Sequence, residues 1–402
     1  MAQLLIRAGT PDAALIESVM SDVRAVRPDR LVVDAHVAAH TPELARSAGR
    51  AGRGFLVDPQ TYLWQGAVHP LRSWARLPFA QVRPMLATEV SDLRVARVLV
   101  ERAIEFQLGH GATHIIAPYV HVEGAGDGWV QAQLTLWHAT RDYLDAHGLH
   151  LPVVAVLSLG WRLHARRNWP AALSPLLGAL GALEPDEVAL ASSKMDRGAD
   201  PAARLVDMLR VVQRLANHFP VIVWRQGALG EAAILAGASG VETGIGWRDR
   251  CDLQTAKNEL RGQPTPGGTP HPTYIGALHR SMTRAQLAAV SRRPDLAAQI
   301  TCLDAACCPN GARDLTRDGR RHSIAARAAN INRMASAAHE SWRWEQLAVD
   351  TGRALVVTAS LNDYLDRLGD PKLGRLDSGA ITAMHTVALQ RRRSTRRGRP
   401  AA

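Results

Sequence analysis

Short apolar runs alternate with helix-patterned stretches from residue 4 to about residue 246. The runs are Leu4-Leu5-Ile6, Arg30 to Asp34, Gly54 to Asp58, His114 to Val120, Pro152 to Leu159, Glu187 to Ser192, Pro220 to Trp224 and Gly240 to Ile245. Continuous apolar runs of this length read as parallel strands covered on both faces. Eight of them, each followed by a helical stretch, is the count that closes a (β/α)8 barrel.

Between the strands, helices are expected over Pro11–Val26, Glu89–Leu108, 129–147, 170–183, 200–217 and 229–237. Thr41-Pro42-Glu43 reads as a helix start, with Thr41 as N-cap and Pro42 in the first helical position. Gly237 reads as a helix C-cap. Residues 62–90, rich in Trp and Pro, form an insertion longer than ordinary βα loops, as functional loops and lids often are. Gly124 to Gly128 reads as a flexible loop at a strand end. Beyond residue 250 the rhythm stops. Residues 261–273 favour neither helix nor strand, and helices are expected over 320–347 and 360–368.

The fold class expected is therefore α/β: a TIM barrel over 1–260, a linker and helix over 261–300, a Cys/His-containing helical appendage over 301–370, and a basic tail over 371–402. The apolar fraction of 47% excludes wholesale disorder. No apolar run is long enough to span a membrane, and the start is too short for a signal-peptide core. Four cysteines, all within 251–308, make no disulfide framework and suit a cytoplasmic setting. About half of the +11 formal charge comes from arginines between Arg391 and Arg399. That segment reads as a solvated, disordered tail of an arginine-rich chain, able to hold nucleic acid non-specifically.

Catalysis in this fold sits at the C-terminal ends of the strands. Those ends carry Asp34 and His36, Asp58 and Gln60, Tyr119 and His121, Ser192 and Lys194, Arg225, Gln226 and Gly227, and Glu242, with Arg248 and Asp249 following. Ionisable groups at the ends of buried strands are costly without partners or purpose. Asp58 and Glu242 form a candidate carboxylate pair, divided between nucleophile and general acid or base. Lys194 and Arg225 are candidate phosphate or counter-charge groups, Gln226 and Ser192 candidate edge readers, and Tyr119 a candidate stacking platform.

Three cysteines, Cys302, Cys307 and Cys308, fall within seven residues, and His322 follows on a helix start. Three thiolates and one imidazole make a complete tetrahedral zinc set. The competing reading is a group of small buried hydrophobes.

The barrel, the Phe55-Leu56-Val57-Asp58 run, the late acid after Gly227-Ala228-Leu229-Gly230-Glu231, and the Cys/Cys/Cys/His group together resemble the tRNA-guanine transglycosylases and their DNA-acting relatives. The resemblance spans roughly residues 30–330. It implies a pentosyltransferase that exchanges a purine-type base in nucleic acid through a carboxylate nucleophile. Asp58 would then be the base-side acid/base and Glu242 the nucleophile, with Asp249 as fallback. Cys302, Cys307, Cys308 and His322 would hold a structural zinc. Of the family's Asp-Ser-Gly-Gly-Phe-Gln run, Asp58-Pro59-Gln60-Thr61-Tyr62 keeps only the acid, and the cysteine spacing differs.

The partners this implies are a nucleic acid (tRNA or DNA) and a small-molecule base, with no membrane. A homodimer is one of the oligomeric states left open. Two other readings stay open beside it. One is a barrel enzyme on a small phosphorylated metabolite, gripped by Lys194 and Arg225 near the 227–240 turns. The other is a barrel without chemistry that associates with nucleic acid.

Overall fold

A computed structural model describes residues 2–66, 73–246, 250–256, 271–302, 304, 307–337 and 339–396. Arg248 and Asp249 lie outside the described residues.

The strands are β1 (Gln3–Ala8), β2 (Arg30–Asp34), β3 (Gly54–Asp58), β4 (Ile115–Ala117), β5 (His121–Val122), β6 (Val153–Gly160), β7 (Glu187–Ser193), β8 (Val221–Trp224) and β9 (Gly240–Gly244). All pair in parallel, in the order β3-β2-β1-β9-β8-β7-β6-β4, with β5 continuing alongside β6. The gap between β3 and β4 is spanned by a bridge from Leu56 to His114 and by Thr113 N donating to Phe55 O at 2.8 Å. The result is a nearly closed eight-stranded barrel, with β4 and β5 as two pieces of the fourth strand, interrupted near Pro118. A proline has no N–H for the ladder.

Helices cover the outside, and nearly every strand position is buried. At Gly240 a Cβ would stand 2.6 Å from Gln3 O and 2.7 Å from Ile222 Cδ1, so only glycine lets β9 lie this close to β1 and β8.

Several expected boundaries move. The first helix is Ala13–Ser21, shorter than expected. Thr41 does not cap its helix. The helix runs Glu43–Arg50 behind Pro42, and the Thr41 hydroxyl bonds to Thr10 Oγ1 at 3.1 Å instead. The helix expected over 89–108 splits into Ala87–Val90 and Leu93–Gly109, because Asp92 caps the second piece by accepting from Arg94 N. Gly237 has φ +99° just after helix Ala228–Leu235, as a C-cap requires.

The appendage holds a hairpin of β10 (Thr273–Ile275) and β11 (Arg280–Met282), then short helices and two long ones, Gly319–Ser336 and Glu340–Leu368. It has its own core around Ile275, Leu287, Leu361 and Leu365, but Ile324, Ile331 and Trp344 pack into the barrel's cluster. The basic tail is corrected in part. Gly379–Arg396 is a helix that packs on Glu340–Leu368 and on the barrel helix Pro201–Ala216. Ile381, Met384 and Val387 are its buried face. Apolar residues at this spacing line one side of a helix, a signal hidden by the arginines beyond it.

Candidate functional site

β1, β2, β3 and β9 are neighbours, and each carries a charged residue at or within two positions of its C-terminal end: Arg7, Asp34, Asp58 and Glu242. Arg7, from β1, is the hub. Its Nε donates to Glu242 Oε1 at 2.6 Å, and its Nη1 donates to Asp34 Oδ1 at 2.6 Å and Asp58 Oδ2 at 2.8 Å. Its guanidinium carbon lies 4.9 Å from the centre of the Trp224 ring. Arg225, at φ +55°, adds longer contacts of 3.4 Å to Asp34 and 3.7 Å to Asp58. Tyr119 donates its hydroxyl to Asp58 Oδ1 at 3.0 Å, and Gln60 N donates to the same oxygen at 2.9 Å.

Asp58 and Glu242 are fully buried and Arg7 is 1% exposed. Burial penalises the Arg7 charge, but Glu242, Asp58 and Asp34 more than offset this and hold its pKa well above the ordinary value. Arg225 is likewise raised: burial and Arg7 act against its charge, and Asp34 among others favours it. Burial, then the Asp58 charge, raises the Tyr119 phenol, so it stays a proton donor.

Several buried polar atoms here have no hydrogen-bond partner among the described residues: Glu242 Oε2, Arg7 Nη2, Gln60 Oε1, Ser192 Oγ, Trp224 Nε1 and Arg225 Nε. An unsatisfied buried group costs about 1–3 kcal/mol, more when charged. Native structures rarely tolerate such a set without a use.

The strand-end candidates divide. Asp34, Asp58, Tyr119, Arg225 and Glu242 converge on Arg7. Gln226 instead donates to the carbonyls of Ser192 at 2.8 Å and Trp224 at 3.0 Å, bracing the turn at Gly227. His121 lies beside Ser158 Oγ at 2.9 Å and Glu123 Oε2 at 3.1 Å. Lys194 stands 3.7 Å from Asp252. His36 sits half-buried on the short helix after β2. Arg7 was missed by sequence reasoning, although its place closing an apolar run matches that of Asp34 and Asp58.

The insertion after β3 is only partly a loop. Trp64, Trp74 and Phe79 are buried, and Trp74 Nε1 donates to Pro59 O at 3.1 Å. Tyr62 lies against Tyr119, ring centres 5.9 Å apart.

In the appendage, the ligand atoms of Cys302, Cys307, Cys308 and His322 all lie within 4.8 Å of one another. Cys307 and Cys308 Sγ are 3.8 Å apart, and His322 Nδ1 lies 3.4 Å from one and 3.2 Å from the other. A tetrahedron with metal–sulfur arms of about 2.3 Å has sulfur–sulfur edges of about 3.8 Å. The adjacent thiols converge because the N–H groups of Cys307 and Cys308 both donate to Asp304 O, wrapping the chain into a tight turn. This group could hold a metal ion.

No protein-family model matches the chain, and no curated protein does. Among solved structures, it is similar to a putative phosphonomutase from Burkholderia cenocepacia J2315, at 16% identity and TM-score 0.34, over 60% of this chain and 86% of that one. It is also similar to a thiamine phosphate pyrophosphorylase from Pyrococcus furiosus, at 12% identity and TM-score 0.29, over 64% and 92%. A third is xylanase B from Clostridium stercorarium F9, at 9% identity and TM-score 0.31, over 60% and 85%. Scores this low say nothing of activity. Fold and site together define an α/β barrel with a buried arginine–carboxylate cluster at the C-terminal end of its strands. Among the described residues no helix is long and apolar enough to cross a membrane.

Proposed function

We propose that the barrel mouth carries out glycosyl transfer at an N-glycosidic bond, exchanging a purine-type base through a carboxylate nucleophile. The observation that carries this reading is Glu242. Arg7 holds its Oε1, while Oε2 is buried without a hydrogen-bond partner among the described residues. A carboxylate oxygen held in that state is costly to bury and has a lone pair free to attack carbon.

The step balances with the groups present. Glu242 Oε2 forms a bond to the anomeric carbon as the C–N bond breaks, and its electrons leave with the base. The departing base leaves as an anion and takes a proton from water; Asp58, oriented by Arg7, Tyr119 and Gln60 N, takes the proton of the incoming base and returns it to the hydroxide so formed. An incoming base nitrogen then attacks the same carbon, the ester breaks, and Glu242 regains its charge. Three carboxylates against two guanidinia leave the mouth negative, which favours an oxocarbenium-like transition state. The Cys302, Cys307, Cys308 and His322 group would hold a structural zinc.

A second reading, a small phosphorylated metabolite as substrate, draws on a cleft of about 410 Å³ lined by Gln226, Gly227, Arg250, Arg280 and Arg327. It lies at the turn after β8, where barrels often bind phosphate. Against it, Arg225 already faces Asp34 and Asp58, and Lys194 faces Asp252.

The test offers the full chain an isotopically labelled purine together with DNA or RNA oligonucleotides. Label should enter the polymer, and Glu242→Gln should abolish entry. Incorporation that persists in both Glu242→Gln and Asp58→Asn would overturn the reading. Turnover of sugar phosphates alone would favour the second.

A further inference from the structure

Beside the mouth, on the rim formed after β6 and β7, lies a strip of cations interleaved with tryptophans. The chain after β6 makes short 3-10 turns over Trp161–His164 and Arg166–Asn168, then a wide π-helical turn over Trp169–Leu173. The guanidinium of Arg204 stacks 3.7 Å from the Trp161 ring centre, and that of Arg162 lies 4.8 Å from the same ring. Arg214 lies 5.2 Å from Trp169. Arg204 and Arg214 are ten residues apart on helix Pro201–Ala216, so the strip runs about 15 Å along it. Lys194 and Arg197, after β7, border the strip and pair with Asp252.

The strip is poorly neutralised. Glu123 stands 3.6 Å from Arg162, and Asp252 is shared by Lys194 and Arg197. Asp196 faces Arg250, Asp207 faces Arg210, and Asp200 caps the helix by accepting from Ala203 N. Arg166, Arg167 and Arg214 are exposed and make no ion pair among the described residues. Burial and the neighbouring Arg162 charge depress the Arg204 pKa. Two guanidinia share one indole beside three that make no ion pair among the described residues, a grouping of like charge that favours an anion.

We infer that this rim, 161–169 with Arg204 and Arg214, docks the phosphodiester backbone of a nucleic acid. The inference rests on the proposed base exchange for its choice of polyanion, and it places the substrate's sugar in a polymer. Cations at several phosphates release counterions and give steep salt dependence, and the half-buried Trp161 and Trp169 rings keep the guanidinia planar against the surface. It also moves the expected contact away from the basic tail.

The experiment measures binding of fluorescent single-stranded and hairpin oligonucleotides, RNA and DNA, to the full chain across a salt series. Arg166→Glu/Arg167→Glu alters two exposed residues, and an unchanged melting temperature checks the fold. The double variant should weaken binding at least tenfold at low salt and lower the salt slope by about two. Unchanged affinity and slope would overturn the docking surface. So would binding lost only on replacing Arg396, Arg397 and Arg399 by Ser, or a strip that binds phosphatidylserine vesicles in place of oligonucleotides. The two readings fail separately. Binding through the strip without any base exchange removes the reaction, and Glu242-dependent exchange with undiminished binding by the double variant removes the surface.

Discussion

Arg7 Nε donates to Glu242 Oε1 over 2.6 Å, joining the first strand of the barrel to the last, which pair side by side within the sheet. The same guanidinium holds Asp34 and Asp58, so one cation fixes three carboxylates from three other strands. Removing it strands those charges in a buried site. Arg7→Met should therefore cost about 3–5 kcal/mol of stability in urea unfolding. Arg7→Lys keeps the charge but not the planar fork, and should recover part of the stability without restoring Glu242. A methionine variant as stable as the parent would show that Arg7 does not hold these carboxylates together in the fold.

The barrel was legible because parallel strands buried on both faces are apolar throughout, and that pattern survives without any tertiary information. Asp34, Asp58 and Glu242 stood out against it as acids at strand ends. Arg7 did not, because a single basic residue after Leu4-Leu5-Ile6 looks like the end of a short strand. Its importance comes from β1 lying between β2 and β9, a fact of closure that no local pattern records. The cysteine group was visible by composition, but whether adjacent Cys307 and Cys308 can face one point depends on the turn on Asp304. The Gly379–Arg396 helix was obscured by charge: arginines on its exposed side and beyond it masked the apolar stripe.

His164 gives the fold a pH dependence of predictable sign. It is fully buried, neither ring nitrogen has a partner among the described residues, and burial lowers its pKa from 6.5 to about 3. The unfolded chain binds a proton below about pH 6.5 that the native state refuses until about pH 3. This contribution is flat above pH 6.5 and falls by up to about 1.4 kcal/mol per pH unit below it. Urea unfolding at pH 7.5, 6 and 5 should show that loss, and His164→Phe should remove that part of the slope. Identical slopes in parent and variant would place the proton uptake elsewhere.

The Cys302, Cys307, Cys308 and His322 group is expected to bind one zinc per chain, measured by elemental analysis of protein purified without chelator. Burial raises the Cys307 thiol to about 11 and also raises Cys308, so without a metal these side chains stay protonated at neutral pH. A bound cation would draw off the protons and tie the 301–311 segment to helix Gly319–Ser336. Cys308→Ser should lose the metal and lower the melting temperature. Protein that is metal-free yet equally stable would make the group a set of packed thiols.

Met384 tests whether the last helix is part of the fold. Its side chain is fully buried with Ile381 and Val387, against Glu340–Leu368 and the barrel helix Pro201–Ala216. Nearby, Arg391 lies 5.8 Å from the centre of the buried Trp344 ring. Met384→Ala deletes most of a core side chain and should cost about 2–5 kcal/mol. A solvated tail would register no change, since an exposed methionine contributes almost nothing to the native state. Truncation after residue 378 should cost more than the point variant, because it uncovers the whole apolar stripe and the Trp344 face together. Equal melting temperatures for parent, Met384→Ala and the truncated chain would return this segment to the role of a basic arm. Stepwise loss across the three would establish that the barrel's outer wall is completed by residues far beyond its last strand.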